Sequence, residues 1–266
     1  MRVQGWMSIV VAGLLIFAGA GVQGASDEKA RAALAPTGKL RVAFFSAPIY
    51  GVKDPATGNL KGLGIDLGSG LAKRLGVPFE PVPYRDLADL ITSAKDGKWD
   101  VAVMTTNAKR AEVFDFSNPY LLVEQGFLVR AGVPIATMAD VDKAGIQVGS
   151  VNKSASGNHL SQTLKNAKLV LVNNLAELEE LITSGKVDAI AIGKTFLFRV
   201  SAKLPGSRVL DGSLLDEPAA MGVVKGHDPA GLAFVNQFIE EAKAGGVVKT
   251  AIERDKLRGV RVAPPK

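Results

Sequence analysis

Two stretches of this chain repeat one phrase: residues 87–104 read LADLITSAKDGKWDVAVM, and residues 175–192 read LAELEELITSGKVDAIAI. In each, apolar residues at helical spacing are followed by Gly-Lys-x-Asp and then by an apolar run typical of a buried strand. The two starts, 87 and 175, lie 88 residues apart. The alternative is a chance similarity of two amphipathic helices. We predict two α/β units of matching design, and therefore two similar lobes.

Further strands and helices are predicted around the repeat. Residues 39–45 form a strand, and glycines follow it before Asp66 opens a helix with leucines at four-residue spacing. Residues 146–150 and 169–172 are the corresponding strands on the other side of the repeat. Asp228, directly before a proline, marks a helix start.

The order of these elements predicts how the lobes are connected. Residues 128–134 look like a strand or linker that crosses between lobes, and the chain returns near residues 216–220. The first lobe then comprises residues 36–130 and 221–266, and the second lobe residues 131–220 with flanking hinge strands. Two linkers side by side form a hinge.

The amino terminus predicts secretion. Arg2 precedes an apolar run over residues 7–18, which is shorter than the roughly 20 residues that cross a bilayer. Residues 1–24 are therefore predicted to be a cleaved signal peptide, with cleavage after Ala20 or after Gly24. The mature protein is predicted to be periplasmic.

Composition limits the chemistry. The chain has no cysteine, which excludes disulfides, thiolate metal sites and a lipid-bearing cysteine. His159 and His227 are the only histidines and lie far apart in sequence, so we expect no metal site and no cofactor. The formal charge of +6 is spread along the chain, so nucleic acid is not an expected partner. The charge supports at most a mild preference for anionic solutes.

Three segments carry a family resemblance: GNLKGLGIDL (58–67), GKWDVAVMTTNAKRAEVFDFSNPY (97–120) and GIQVGSVNKSASG (145–157). They resemble the family-3 periplasmic solute-binding proteins of polar amino-acid ABC importers, and Thr105, Arg110 and the FSNPY segment are the most specific match. The resemblance implies a two-lobed α/β fold of the type II periplasmic-binding-protein class with a hinge between the lobes. It also implies a monomer that delivers its solute to an inner-membrane ABC permease.

The resemblance implies that Arg110, Thr105 and the backbone at Val103 hold the ligand carboxylate in the first lobe. An arginine suits that role because its planar guanidinium binds a carboxylate through two parallel hydrogen bonds. The alternative is a surface ion pair. Of the adjacent aromatics Phe44 and Phe45, one should point into the core, and we assign Phe45 to the cleft.

In the second lobe, Ser154 and Ala155 match a loop at a helix N-terminus that attracts anions. The usual glycine before them is Lys153, which either brings a cation to the cleft rim or faces solvent. Gly193, followed by Lys194, stands where relatives that bind α-amino acids usually have an aspartate for the ligand ammonium. The ligand then either lacks this ammonium, which is the interpretation we prefer, or another acid such as Asp211 replaces the aspartate.

These observations predict the binding protein of an ABC importer for a small carboxylate-bearing solute, without enzymatic activity. One alternative is an enzyme of the cyclohexadienyl dehydratase type on the same fold. That chemistry needs a general acid in the cleft, and the sequence assigns none there. A periplasmic sensor module is the other alternative.

Overall fold

The computed structural model describes residues 18–266. The apolar run of the predicted signal peptide, up to residue 17, lies outside the described residues. The helices are α1 (Ala18–Leu34), α2 (Leu63–Leu75), α3 (Leu87–Thr92), α4 (Ala155–Thr163), α5 (Leu175–Thr183), α6 (Lys194–Ser201), α7 (Pro229–Ala244) and α8 (Val247–Arg254). Within residues 18–266, none of them is both long and apolar enough to cross a membrane.

The strands are β1 (Leu40–Phe45), β2 (Val52–Lys53), β3 (Leu60–Lys61), β4 (Phe79–Tyr84), β5 (Val101–Thr105), β6 (Phe114–Phe116), β7 (Leu121–Val129), β8 (Gln147–Val151), β9 (Lys168–Val172), β10 (Ala189–Gly193), β11 (Arg208–Val209), β12 (Leu215–Val224) and β13 (Val260–Val262). Strands β2 and β3 form a separate ribbon, and the other eleven form one sheet.

The large sheet contains two parallel sets of strands. In the first lobe β1 lies between β4 and β5 and is parallel to both. In the second lobe β8 lies between β10 and β9 and is parallel to both. Strands β12 and β7 lie between the two sets and run antiparallel to their neighbours. Ligands of open α/β sheets bind beyond the carboxyl ends of such parallel strands.

Strand β7 passes from the first lobe to the second before the predicted crossing, whereas β12 lies where the return of the chain was predicted. Strand β7 pairs with β12 through residues 121–125, and Phe127 already packs in a core cluster of the second lobe. Leu128 and Val129, the first residues of the predicted crossing at residues 128–134, already pair with β10 of the second lobe. The short strand β13 pairs with β7 through residues 121–123 and adds a third strand at this junction.

Each end of the sheet has its own hydrophobic clusters. The first-lobe clusters contain β1, β5, α2 and α7 residues such as Leu67, Val103 and Ile239. The second-lobe clusters contain β8, β10 and α5 residues such as Val148, Ile190 and Ile182. The exact lobe boundaries stay a prediction.

The repeated Gly-Lys-x-Asp phrase has the same structural role in both lobes. The Asp100 carboxylate accepts a hydrogen bond from the backbone N–H of Arg41 at 2.8 Å, and the Asp188 carboxylate accepts one from the backbone N–H of Gln147 at 2.9 Å. Each aspartate also binds an arginine, Arg41 for Asp100 and Arg130 for Asp188. Each therefore fixes the start of the neighbouring parallel strand.

Candidate functional site

A cleft of about 1280 Å³ lies between the two lobes, at the carboxyl ends of β5 and β10. Its walls come from the first lobe, the second lobe and the crossing strands β7 and β12. The lining residues include Phe45, Tyr50, Thr105, Arg110, Gln125, Lys153, Ser154, Ala155, Gly193, Phe196 and Glu217. Six of the eight predicted site residues are among them, and Val103 and Lys194 are not.

The first-lobe wall is built on the end of β5. Arg110 begins a 3₁₀ turn (Arg110–Glu112), and its backbone N–H donates to the Asn107 side chain at 2.9 Å. Its Nη1 donates to the carbonyl of Thr105 at 2.6 Å and to the Thr105 hydroxyl at 2.5 Å. Among residues 18–266 no carboxylate forms a salt bridge with Arg110, and its Nε and Nη2 have no hydrogen-bond partner. The guanidinium therefore borders the cleft with donors to spare.

The two adjacent phenylalanines lie in different surroundings. Phe44 is buried in the first-lobe core, whereas Phe45 lines the cleft and packs on Tyr50, with ring centroids 4.7 Å apart. Tyr50 itself is almost completely buried, and burial raises the pKa of its phenol well above the ordinary value. The aromatic wall is therefore neutral at physiological pH.

The second-lobe wall is the N-terminus of α4. Ser154 caps this helix, because its hydroxyl accepts the backbone N–H of Gly157 at 2.9 Å, and Ala155 lines the cleft in the first turn. Lys153, directly before the cap, has a left-handed backbone with φ of 60°. A glycine adopts that conformation without steric cost, and here an exposed lysine at the cleft rim adopts it instead.

Lys194 and Val103 need correction as site residues. The Lys194 side chain is only 6% exposed, lies against Gly126 and Gly259, and pairs with Glu124 at 3.3 Å, so it neither lines the cleft nor repels a cation there. Val103 is fully buried and pairs with Met221 inside the sheet. Thr105, at the end of the same strand, lines the cleft, and Val103, whose backbone was predicted to contact the ligand, does not.

Gly193 lies at the cleft with open space beside it. A Cβ atom built there would meet Gln125 Nε2 at 3.5 Å, which is an ordinary van der Waals contact, and the backbone angles (φ −51°, ψ 129°) suit any residue. The absence of a side chain at this position is therefore not required by packing. Asp211, the predicted substitute acid, is exposed and does not line the cleft.

An acid that sequence reasoning missed does line the cleft. Glu217, on β12, accepts a hydrogen bond from Gln125 Nε2 at 3.0 Å, and Gln125 Oε1 in turn accepts the hydroxyl of buried Ser156 at 2.9 Å. Burial raises the pKa of Glu217, and the charge of Arg110 opposes that rise. The signal was available in the segment DEPAA at residues 216–220, where a proline marks the crossing and an acid precedes it.

Within residues 18–266 no group of histidine and acidic side chains is arranged to hold a metal ion. The cleft is lined by the Arg110 guanidinium, the Glu217 carboxylate, the N-terminus of α4 and an aromatic wall, together with Lys109, Lys153, Asp216 and an ion pair between Glu179 and Arg199.

Residues 40–254 match the profile of the bacterial extracellular solute-binding proteins, family 3. The chain belongs to this family. A curated relative is the glutamine-binding protein of Geobacillus stearothermophilus, which is 27% identical over 193 residues, covering 71% of this chain and 73% of the relative.

Solved structures agree with the fold. An amino acid ABC transporter substrate-binding protein from Streptococcus pneumoniae, bound to L-arginine, superposes with a TM-score of 0.66 at 25% identity, covering 85% of this chain and 97% of that one. An ancestral amino acid-binding protein described as a precursor of cyclohexadienyl dehydratase superposes with a TM-score of 0.65 at 28% identity, covering 86% and 98%. The predicted two-lobed α/β fold of the type II class is confirmed.

Proposed function

We propose that this family member is the periplasmic binding component of an ABC importer and that it captures a small carboxylate-bearing solute. Arg110 and Thr105 receive the carboxylate in the first lobe, and Ser154 with Ala155 then closes on it from the second lobe. The signal peptide over residues 1–24 would be removed on secretion, and the loaded monomer would dock on an inner-membrane permease.

The spare donors of Arg110 carry this proposal. A guanidinium that borders a cleft between lobes and has no carboxylate partner among the described residues is available for one. Its bonds to Thr105 hold one edge of the guanidinium, which leaves Nε and Nη2 free for two parallel hydrogen bonds to a carboxylate. A held guanidinium also loses less side-chain entropy when it binds.

Closure of the lobes supplies the remaining affinity. The cleft volume of about 1280 Å³ exceeds the range of roughly 300–1,000 Å³ typical of small-molecule sites. A hinge motion at β7 and β12 would bring the N-terminus of α4 toward Arg110. A solute shifts the equilibrium between open and closed forms only by the extra contacts that it makes in the closed form.

The experiment is a thermal-shift screen of the common L-amino acids and of the same acids without their amino group, followed by calorimetry on the compounds that stabilise the protein. Arg110→Ala should weaken binding of every such compound at least about 100-fold, since it removes a desolvated charge partner. Arg85→Ala is the matched control, because Arg85 is an exposed first-lobe arginine outside the cleft. Near-normal affinity in Arg110→Ala would overturn the site.

One observation favours a second candidate, an enzyme of the dehydratase type. Glu217 provides a carboxyl group with a raised pKa in the cleft, as general acid catalysis requires, and one structural neighbour is described as a precursor of such an enzyme. Incubation with prephenate or arogenate distinguishes the two functions. Consumption of either acid by the wild-type protein, lost in Glu217→Gln, would establish the enzyme, and we expect no consumption.

A further inference from the structure

We propose that Glu217 is the counter-charge for a cationic group of the solute, so that the cleft selects a zwitterion such as an α-amino acid. The proposal rests on the proposed function, in which Arg110 binds the carboxylate. It replaces our preference, from the sequence, for a ligand without an ammonium group. In this chain the acid would lie on the crossing strand β12, and not at the end of β10, where Gly193 lies.

The first argument is the separation of the two charges. Arg110 and Glu217 both line the cleft, yet no salt bridge within 4 Å joins them in the described part of the chain. They are nevertheless close enough to influence each other, because Arg110 opposes the rise in the Glu217 pKa and both charges act on Tyr50 in opposite directions. A cation and an anion that are near but unpaired present complementary poles to a zwitterion.

The second argument is the bonding of the Glu217 carboxylate. Oε2 accepts from Gln125 at 3.0 Å, and among residues 18–266 no group donates to Oε1. Gln125 is in turn fixed by Ser156, so the carboxylate is held in place by two buried polar side chains. Glu217 is half-buried and lines the cleft, so Oε1 stays open to a hydrogen-bond donor that enters the cleft. A ligand ammonium is such a donor.

The third argument is the surroundings of Glu217. The groups that face it are Arg110 and Tyr50 from the first lobe and Gln125 from β7. Its neighbour Asp216 is already engaged, because Arg261 and the Ser213 hydroxyl both donate to it. Glu217 is therefore the acid of β12 that is free to receive a cation.

The test compares two ligand series, the common L-amino acids and the same acids without their amino group. Both series are measured on the wild type, Glu217→Gln, Asp211→Asn and Arg110→Ala. The wild-type protein should be stabilised by at least one amino acid and not by its deaminated partner. Glu217→Gln should bind that amino acid at least about 30-fold more weakly in calorimetry, because the desolvated ammonium of the ligand loses its charged partner. Asp211→Asn, which removes an exposed acid outside the cleft, should bind as the wild type does.

The melting temperature of free Glu217→Gln shows whether the variant folds. Because burial raises the Glu217 pKa above its unfolded value, the carboxylate destabilises the fold at pH values above the folded-state pKa. At neutral pH the neutral glutamine should therefore leave the melting temperature unchanged or raise it by about 2 °C. A large fall would mean that Glu217 supports the structure and would count against a binding role.

Two outcomes overturn the inference and leave the proposed function standing: deaminated acids bind the wild type as tightly as amino acids, or Glu217→Gln keeps full affinity while Arg110→Ala loses it. If no carboxylic acid of either series binds the wild type, the proposed function fails as well. The two failures are therefore distinguishable.

Discussion

The two copies of the repeated phrase fold alike at their beginning and differ at their end. In both lobes a capped helix leads through Gly-Lys-x-Asp into a buried strand, and Asp100 and Asp188 fix the neighbouring strand in the same way. At the strand ends, Thr105 leads into Arg110, whereas Gly193 offers no side chain to the cleft. The shared part builds the lobes, and the divergent part gives the first-lobe strand end an arginine and leaves the second-lobe strand end with a glycine.

Removal of the shared aspartate tests the first half of this comparison and should have the largest effect. Asp100 is 8% exposed and receives three hydrogen bonds from Arg41, whereas Asp188 receives one each from Gln147 and Arg130. Asp100→Ala should lower the free energy of unfolding by about 3 kcal/mol, because a buried charge loses its partner. Asp188→Ala should lower it by about 1–2 kcal/mol.

Urea unfolding measures both effects. Trp99, the one tryptophan outside residues 1–24, is buried beside Asp100 and reports on the first lobe, while circular dichroism reports on the whole chain. Equal losses in the two variants, or a larger loss for Asp188→Ala, would contradict the claim that the first-lobe contact is the stronger one.

The sequence predicted the parts of the molecule that follow from local patterns. The repeat, the helix start at Asp228 and the core-facing Phe44 depend on periodicity and helix chemistry, and the structure confirms them. Residues whose role depends on the three-dimensional path were missed. Lys194 finds its buried partner Glu124 on another strand, and Glu217 meets Gln125, which is 92 positions away in sequence. Only the folded sheet brings these groups together.

An acid at the bare strand end would sharpen the comparison at the cleft. Gly193→Asp places a carboxylate where the family resemblance implies an aspartate, and the backbone at Gly193 accepts a Cβ atom in ordinary contact with Gln125. We expect the double variant to bind the amino acid about tenfold more tightly than Glu217→Gln alone, which is equivalent to about 1.4 kcal/mol. Calorimetry on the double variant measures the restoration.

The same substitution in the wild-type background is the control for that experiment. Glu217 is then still present, so a second carboxylate adds repulsion and no new partner, and affinity should stay equal or fall. If Gly193→Asp strengthens binding in the wild type as much as in the double variant, the two acids act independently and the relocation of the counter-charge is wrong.

A substitution at Lys153 should have the smallest effect among the tests of how the two lobes differ. The first-lobe helix α2 is preceded by Gly62 with φ of 135°, whereas Lys153, before α4, holds φ of 60° with a side chain. A left-handed backbone costs a residue with a Cβ about 1–2 kcal/mol, and glycine gives back about 0.5–1 kcal/mol through its more flexible unfolded state. Lys153→Gly should therefore stabilise the free protein by about 0.5 kcal/mol.

Lys256→Gly separates the backbone effect of this substitution from its charge effect. Lys256 also has a left-handed backbone, with φ of 49°, but it is exposed and does not line the cleft. Both variants should melt slightly higher than the wild type, and Lys153→Gly alone should slow association with an anionic solute at low salt, because a cation at the cleft rim steers anions inward. If the two variants associate at the same rate, Lys153 faces solvent without function, and any steering of the anion comes from other charges that line the cleft, such as Arg110.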